Sequence, residues 1–193
     1  SIKAVLSIGL VNAEIDREGL QQNFTFAISQ RPKTAFRNIS ALAPSHFMKF
    51  DLNSGRSSVQ RYWEIPVGKQ DFSMTEKQAL EQLEEALLQS VEYRLQADVE
   101  VGTFMSGGID STLISAMAGK LQKGIKAFTL GSDYPDYNEI EEAKANANKN
   151  GLEHITSIVK AESVLDYLDA IVDGFEEPYH HLPVNFLISQ LVH

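Results

Sequence analysis

Short apolar runs alternate with helical patterns from residue 99 to the end of the chain, and this alternation restricts the fold more than any other feature. Three runs have the length and composition of buried strands: VGTFM at 101–105, IKAFTL at 125–130 and EHITSIV at 153–159. Helix-like segments follow them at 111–122, 138–151, 162–175 and 183–193. This alternation predicts an α/β fold with a doubly wound parallel sheet. We expect the first run at one side of the sheet and the third at the other.

The first 66 residues have a different character. HFMKFDL and SVQRYW alternate apolar and polar residues on either side of NSGR, which predicts a β-hairpin. Pro66 and Gly68 then interrupt the chain, so we expect PVGKQDFSM to be a linker. A domain boundary is therefore predicted after residue 66.

An amphipathic helix is predicted between this linker and the first strand. It would start at a capping box, formed either by Ser73 with Glu76 or by Thr75 with Gln78, and end near Ala97. Its apolar stripe repeats at spacings of three and four residues: Leu80, Leu83, Leu87, Val91 and Leu95.

The stretch SGGIDST, residues 106–112, joins the first strand to the next helix. Gly107 and Gly108 permit close backbone approach and a positive φ. The helix that follows offers unpaired N–H groups and a partial positive charge, so strand end and helix start together predict a phosphate site. The hydroxyls of Ser106 and Ser111 can donate to phosphate oxygens. Asp110 would repel phosphate, which makes sense if Mg²⁺ lies between them. The alternative is a plain tight turn followed by an N-terminal helix acid.

Charge and composition exclude several other functions. The net charge of −9 argues against a nucleic-acid or anionic-membrane surface. The chain has no cysteine, so it has neither a disulfide framework nor a thiolate metal site. His180 and His181 are adjacent, and adjacent side chains point apart, which favours a loop role or partial burial over a shared metal.

Several motifs resemble those of known enzymes. SGGIDST resembles the S-G-G-x-D-S signature of PP-loop ATP pyrophosphatases, which cleave ATP between the α and β phosphates. The stretch FTLGSDYPDYNEIEEAKANANKNGLEHITSIV resembles the same region of glutamine-hydrolysing asparagine synthetases. FEEPYHHLPVNFLISQLV resembles their D-E-P segment, with Glu176 in place of Asp. KTAFRNISALAPSHFMKFD and VQRYWEIP resemble the segment that leaves their glutaminase domain.

The resemblance implies a domain organisation and a reaction. Residues 1–66 would be the C-terminal end of a glutaminase-type domain, and residues 67–193 the N-terminal part of an ATP-binding domain of the adenine nucleotide alpha hydrolase type. A carboxylate substrate, aspartate or a similar acid, would be adenylated by ATP with release of pyrophosphate. Ammonia from glutamine would then displace AMP and give asparagine.

Site residues follow from the same resemblance. Asp110 would hold Mg²⁺, Phe104 and Leu130 would flank the adenosine, and Asp133 and Asp136 are interpreted as solvated loop acids. No catalytic residue is identified within the chain. The residues expected to bind ATP are Phe104, Ser106, Gly107, Gly108, Asp110, Ser111 and Leu130.

The chain also departs from the family pattern. It lacks the N-terminal cysteine nucleophile of the glutaminase and the S-G-D-G-x-D-E-x-F motif that follows in the family. We therefore expect a fragment of a cytoplasmic ligase that is inactive alone, that uses only small-molecule substrates, and whose parent could be a homodimer. Two alternatives stay open: a β-lactam-synthetase-like enzyme, and a non-catalytic nucleotide-binding module.

Overall fold

The computed structural model describes residues 1–68, 73–134, 138–180 and 183–192. The chain divides into two compact units. The first comprises Ser1–Gln70 and Val172–His181, and the second comprises Asp71–Ile171 and Leu182–His193. Residues 69–72 of the predicted linker lie outside the described residues, as do Asp136 and His181. No helix in the described part of the chain is long and apolar enough to cross a bilayer.

The first unit contains two helices and a hairpin. Helix α1 spans Ile2–Ser7, α2 spans Arg17–Phe26, and strands β1 (His46–Phe50) and β2 (Ser57–Arg61) pair antiparallel. The predicted hairpin is thereby confirmed. Helix α2 was not predicted from the sequence. It begins where the Asp16 side chain accepts a hydrogen bond from the Gly19 N–H at 3.0 Å.

Two glutamates of the FEEP segment hold backbone of the first unit. The Glu176 carboxylate accepts hydrogen bonds from the N–H groups of Ile2 (2.7 Å) and Lys3 (2.9 Å). The backbone hydrogen bonds from Lys3 and then Ile2 lower the pKa of Glu176. The Glu177 carboxylate accepts from the Ala35 N–H at 2.7 Å. Both carboxylates therefore act here as acceptors for the backbone.

The second unit is a three-stranded parallel sheet covered by helices. The strand order is β3-β4-β5, and both pairings are parallel, as predicted. The predicted helix at 162–175 is instead two helices, because the backbone turns at Tyr167 (φ −101°, ψ 2°). The elements are α3 (Glu76–Arg94), β3 (Gly102–Phe104), α4 (Ile109–Leu121), β4 (Lys126–Ser132), α5 (Ile140–Lys149), β5 (Glu153–Val159), α6 (Ala161–Asp166), α7 (Leu168–Gly174), which runs on into the first unit, and α8 (Val184–Val192).

Helix α3 joins the core only through its C-terminal half. Thr75 and Gln78 form the capping box at its start, one of the two predicted alternatives. Val91 is buried, whereas Leu80 and Leu83 are 58% and 53% exposed, so the predicted apolar stripe is wrong at its first two positions. The core cluster comprises Val91, Met105, Met117, Ala118, Ile125, Ala127, Ala147 and Leu152.

Strand β4 has two covered faces, as a central parallel strand should. Ala127 belongs to the core cluster with residues of α4 and α5. Phe128 and Leu130 alternate with it and line cavities together with residues of α8. The carboxyl end of β4 therefore lies between α5 and α8, beside the end of β3.

Candidate functional site

The loop after β3 leads straight into α4. Met105 extends the pairing, since its N–H donates to the Phe128 carbonyl at 2.8 Å. Gly108 is the N-cap of α4, and no side chain caps the helix. The first intrahelical bond is donated by the Thr112 N–H to the Gly108 carbonyl at 3.2 Å. The amides that precede Thr112 in α4 thus have no partner within the helix and face the loop.

The two loop serines are hydrogen-bonded to each other. Their Oγ atoms are 2.7 Å apart. Ser111 Oγ also accepts from the Ser106 N–H at 3.0 Å, and Ser106 Oγ accepts from the Gly108 N–H at 3.2 Å. Both hydroxyls therefore lie beside the N-terminus of α4. To donate to a phosphate oxygen, they would have to break the hydrogen bond between them.

Of the two predicted reasons for the glycines, close approach applies at Gly107, whereas a positive φ applies at neither residue. Gly107 and Gly108 both lack a positive φ, and Gly108 has φ −71°. A Cβ added to Gly107 would lie 2.9 Å from the Cβ of Glu142, which is closer than real Cβ atoms approach. At Gly108 the nearest atom would be the movable Ser106 Oγ at 3.3 Å. Close packing of α5 against the loop, rather than backbone conformation, excludes a side chain at Gly107.

Helix α5 is attached to this loop by polar contacts of two residues that were not predicted from the sequence. The Glu139 carboxylate accepts a hydrogen bond from the Gly107 N–H at 3.0 Å. The Asn146 side-chain amide donates to the Gly107 carbonyl at 3.4 Å and to Thr112 Oγ1 at 3.2 Å. Glu139 is also the N-cap of α5 by its backbone. Two asparagines, Asn146 and Asn148, in an otherwise Ala-rich and charged helix were the available signal.

A cavity of about 410 Å³ opens beside the loop and brings four predicted residues together: Phe104, Ser106, Ser111 and Leu130. This volume lies in the range of small-ligand sites. Gly107, Gly108 and Asp110 are outside its lining. The remaining lining residues are Met105, Thr129, Glu139, Val184, Asn185 and Ile188.

A larger cavity of about 800 Å³ lies within the first unit. Its acidic lining residues are Glu176 and Glu177, whose carboxylates already accept hydrogen bonds from backbone N–H groups. The cavity beside the loop is therefore the better candidate site.

Asp110 lies in the first turn of α4, and its side chain is exposed. Among the described residues, no group of three or more His, Cys, Asp or Glu side chains is placed to hold a metal. Mg²⁺ in nucleotide sites uses one or two carboxylates together with phosphate oxygens and water. One exposed carboxylate beside a loop that could bind phosphate fits that donor set.

A buried hydrogen-bond chain holds the end of β3 beneath the loop. Thr129 is 2% exposed, and its hydroxyl donates to the Met105 carbonyl at 2.7 Å. Its single proton is thereby used, so it accepts from His154 Nε2–H, which is 2.7 Å away. The chain links all three strands and fixes the residue that precedes Ser106.

The pKa of His154 is lowered, first by burial and then by the charge of Lys144. Folding therefore favours the neutral ring, so the unfolded chain binds more protons and stability falls as the pH drops below about 6.5. We predict that His154→Gln, which keeps a donor toward Thr129, has a flatter profile between about pH 5 and pH 8. Thermal unfolding midpoints measured across that range check this. Equal slopes for the two proteins would contradict it.

The fold and this loop define the second unit as a parallel α/β domain with a Ser-Gly-Gly turn at the carboxyl end of its first strand. The chain belongs to the asparagine synthase family, since residues 82–193, more than half of it, match the model described as Asparagine synthase.

Individual relatives agree with this membership. The asparagine synthetase [glutamine-hydrolyzing] 1 of Bacillus subtilis is 28% identical over 174 residues, which are 90% of this chain and 27% of that protein. A putative asparagine synthetase [glutamine-hydrolyzing] of Mycobacterium bovis is 30% identical over 168 residues, 86% of this chain and 26% of that protein. The chain therefore spans about a quarter of the length of these relatives.

A solved NH3-dependent NAD synthetase from Campylobacter jejuni matches with a TM-score of 0.36 and 20% identity, over 54% of this chain and 44% of that chain. That likeness is too weak to support an argument.

Proposed function

We propose that the second unit is the nucleotide-binding part of an ATP-dependent synthetase that forms an amide. One observation supports this most strongly. The Ser-Gly-Gly loop already binds an anionic oxygen, because the Gly107 N–H donates to the Glu139 carboxylate at 3.0 Å beside the cavity of about 410 Å³. Family membership supplies the type of reaction.

In this proposal the loop and the start of α4 bind the pyrophosphoryl part of ATP. The donors are the Gly107 and Gly108 amides and the hydroxyls of Ser106 and Ser111. Phe104 and Leu130 lie at or near the ends of β3 and β4, are partly exposed toward the cavity, and would flank the adenosine. Asp110 would hold Mg²⁺, which when bound neutralises phosphate charge.

The proposed reaction has two displacements. A carboxylate oxygen of aspartate attacks the α-phosphorus, the bond to the bridging oxygen breaks, and pyrophosphate leaves with that electron pair. Ammonia then attacks the acyl carbon, the bond from that carbon to the phosphate oxygen breaks, AMP leaves with the electron pair, and the nitrogen loses one proton. The residues of this chain would contribute by orienting ATP and by donating hydrogen bonds to the departing pyrophosphate.

Residues 1–66, the larger part of the first unit, would belong to a different domain from the second unit. We infer that residues 1–66, which contain the hairpin β1–β2, are the end of a glutaminase-type domain, and that ammonia from glutamine would come from the remainder of such a domain. The ATP-binding domain would then begin at residue 67.

Amide chemical shifts of the ¹⁵N-labelled chain during a pyrophosphate titration test the nucleotide site. We expect the resonances of Gly107 and Gly108 to move in a saturable way, because their N–H groups would donate to phosphate oxygens. Gly9 and Gly55 of the first unit serve as internal controls and should not move. Shifts confined to residues other than the loop would contradict the proposal.

A further inference from the structure

Glu139 lies where a phosphate oxygen would have to bind. Its Oε2 accepts a hydrogen bond from the Gly107 N–H at 3.0 Å, and the residue also lines the cavity beside the loop. A carboxylate oxygen and a phosphate oxygen are both anionic acceptors for a backbone N–H. The amide has one hydrogen, so it cannot form a well-aligned hydrogen bond to both acceptors at the same time.

The Glu139 carboxylate is hydrogen-bonded to the loop rather than to the amides of its own helix. Glu139 is the N-cap of α5, a position from which a side-chain oxygen can accept a hydrogen bond from the first free amides of the helix. Here no such side-chain bond exists, and Asn138 Oδ1 accepts from the Ile140 N–H at 3.2 Å instead. The Glu139 side chain therefore extends away from α5 to the Gly107 amide.

The docking of α5 does not depend on this bond. Asn146 holds the loop independently, through the Gly107 carbonyl at 3.4 Å and Thr112 Oγ1 at 3.2 Å. Ala143 and Ala147 are fully buried on the same helix. Within the described part of the chain, the hydrogen bond that the Glu139 side chain forms is the one at its carboxylate, and the residue is exposed, so this carboxylate can leave Gly107 while α5 stays in place.

We propose that the Glu139 carboxylate accepts the hydrogen bond of the Gly107 N–H when no nucleotide is bound, and that it competes with the pyrophosphoryl group for this N–H. This inference rests on the proposed function. It makes Glu139 a positioning residue that keeps the loop in its binding shape and lowers its affinity for anions. Pyrophosphate entry displaces the carboxylate into solvent.

The test is pyrophosphate binding in the presence of a chelator, measured by isothermal titration of the full chain at fixed ionic strength. Glu139→Gln keeps the size of the side chain but removes its charge, so we expect binding to tighten about fivefold. Glu141→Gln is the matched control, with the same charge change in the first turn of α5 and, in the described part of the chain, no recorded hydrogen bond to the loop. Without ligand, the Gly107 amide resonance should move in Glu139→Gln and not in the control.

The outcomes separate this inference from the function on which it rests. Glu139→Gln binding no tighter than Glu141→Gln, while the unsubstituted chain binds at the loop, would overturn the role of Glu139 alone. Binding weakened by Glu139→Gln would overturn it too, since the carboxylate would then assist the ligand. Folded protein that binds no pyrophosphate in any of the three forms would overturn the nucleotide site as well.

Discussion

Gly107→Val should reduce the affinity for pyrophosphate and for Mg²⁺-ATP by about 100-fold. The added Cβ would lie 2.9 Å from Glu142 Cβ and 3.6 Å from Glu139 Cβ. A Cβ cannot swing aside as a side-chain tip can, so either the loop or α5 has to move. A shift of the loop would turn the Gly107 N–H away from the position of the phosphate oxygen, and a shift of α5 would remove the contacts of Glu139 and Asn146 that hold the loop. Titration calorimetry measures the loss.

Gly174→Val is the matched control for this substitution. Its added Cβ would meet no atom within 4 Å, and its φ is not positive. Circular dichroism should show both variants folded, with only Gly107→Val deficient in binding. Unchanged affinity in Gly107→Val would mean that the loop does not bind the phosphates through this amide.

Asp110→Ala should weaken Mg²⁺-ATP by at least about tenfold and leave metal-free pyrophosphate unchanged or slightly tighter. An exposed carboxylate in the first turn of α4 repels bare phosphate, and it assists binding only where a cation lies between them. Removing it should therefore weaken only the ligand that carries a metal ion. The dissociation constants of both ligands, with and without Mg²⁺, measure this difference.

Asp98→Ala is the control for Asp110→Ala. Asp98 precedes β3 and Asp110 follows it, so Asp98→Ala removes the same charge at the amino end of the strand instead of its carboxyl end. We expect it to change both affinities little. Equal weakening of the two ligands by Asp110→Ala would show that the metal role assigned to this carboxylate is wrong.

The parts of the fold that local signals determine were predictable. Strand β5 occupies Glu153–Val159, the predicted range, and the hairpin has its turn at NSGR. The break at Tyr167 and the exposure of Leu80 and Leu83 were not, because both depend on which neighbouring elements pack there. Periodicity shows that a residue could be buried, and tertiary contacts decide whether it is.

The candidate site divides in the same way. Ser106 and Ser111 were found because they belong to one short motif. Glu139 and Asn146 were missed because they lie more than 25 residues further along the chain, and only the parallel pairing of β3 with β4 brings α5 onto the loop. The contact with α5 that excludes a side chain at Gly107 could not be predicted for the same reason, since it is a tertiary contact.

Side-by-side titration of Mg²⁺-ATP and metal-free pyrophosphate into the unsubstituted chain, Gly107→Val and Asp110→Ala tests the central claim, that the loop at 106–111 binds the pyrophosphoryl group. The unsubstituted chain should bind both ligands, Gly107→Val neither, and Asp110→Ala only pyrophosphate at full strength. Binding by Gly107→Val equal to that of the unsubstituted chain, or no binding by the folded unsubstituted chain, would contradict the account.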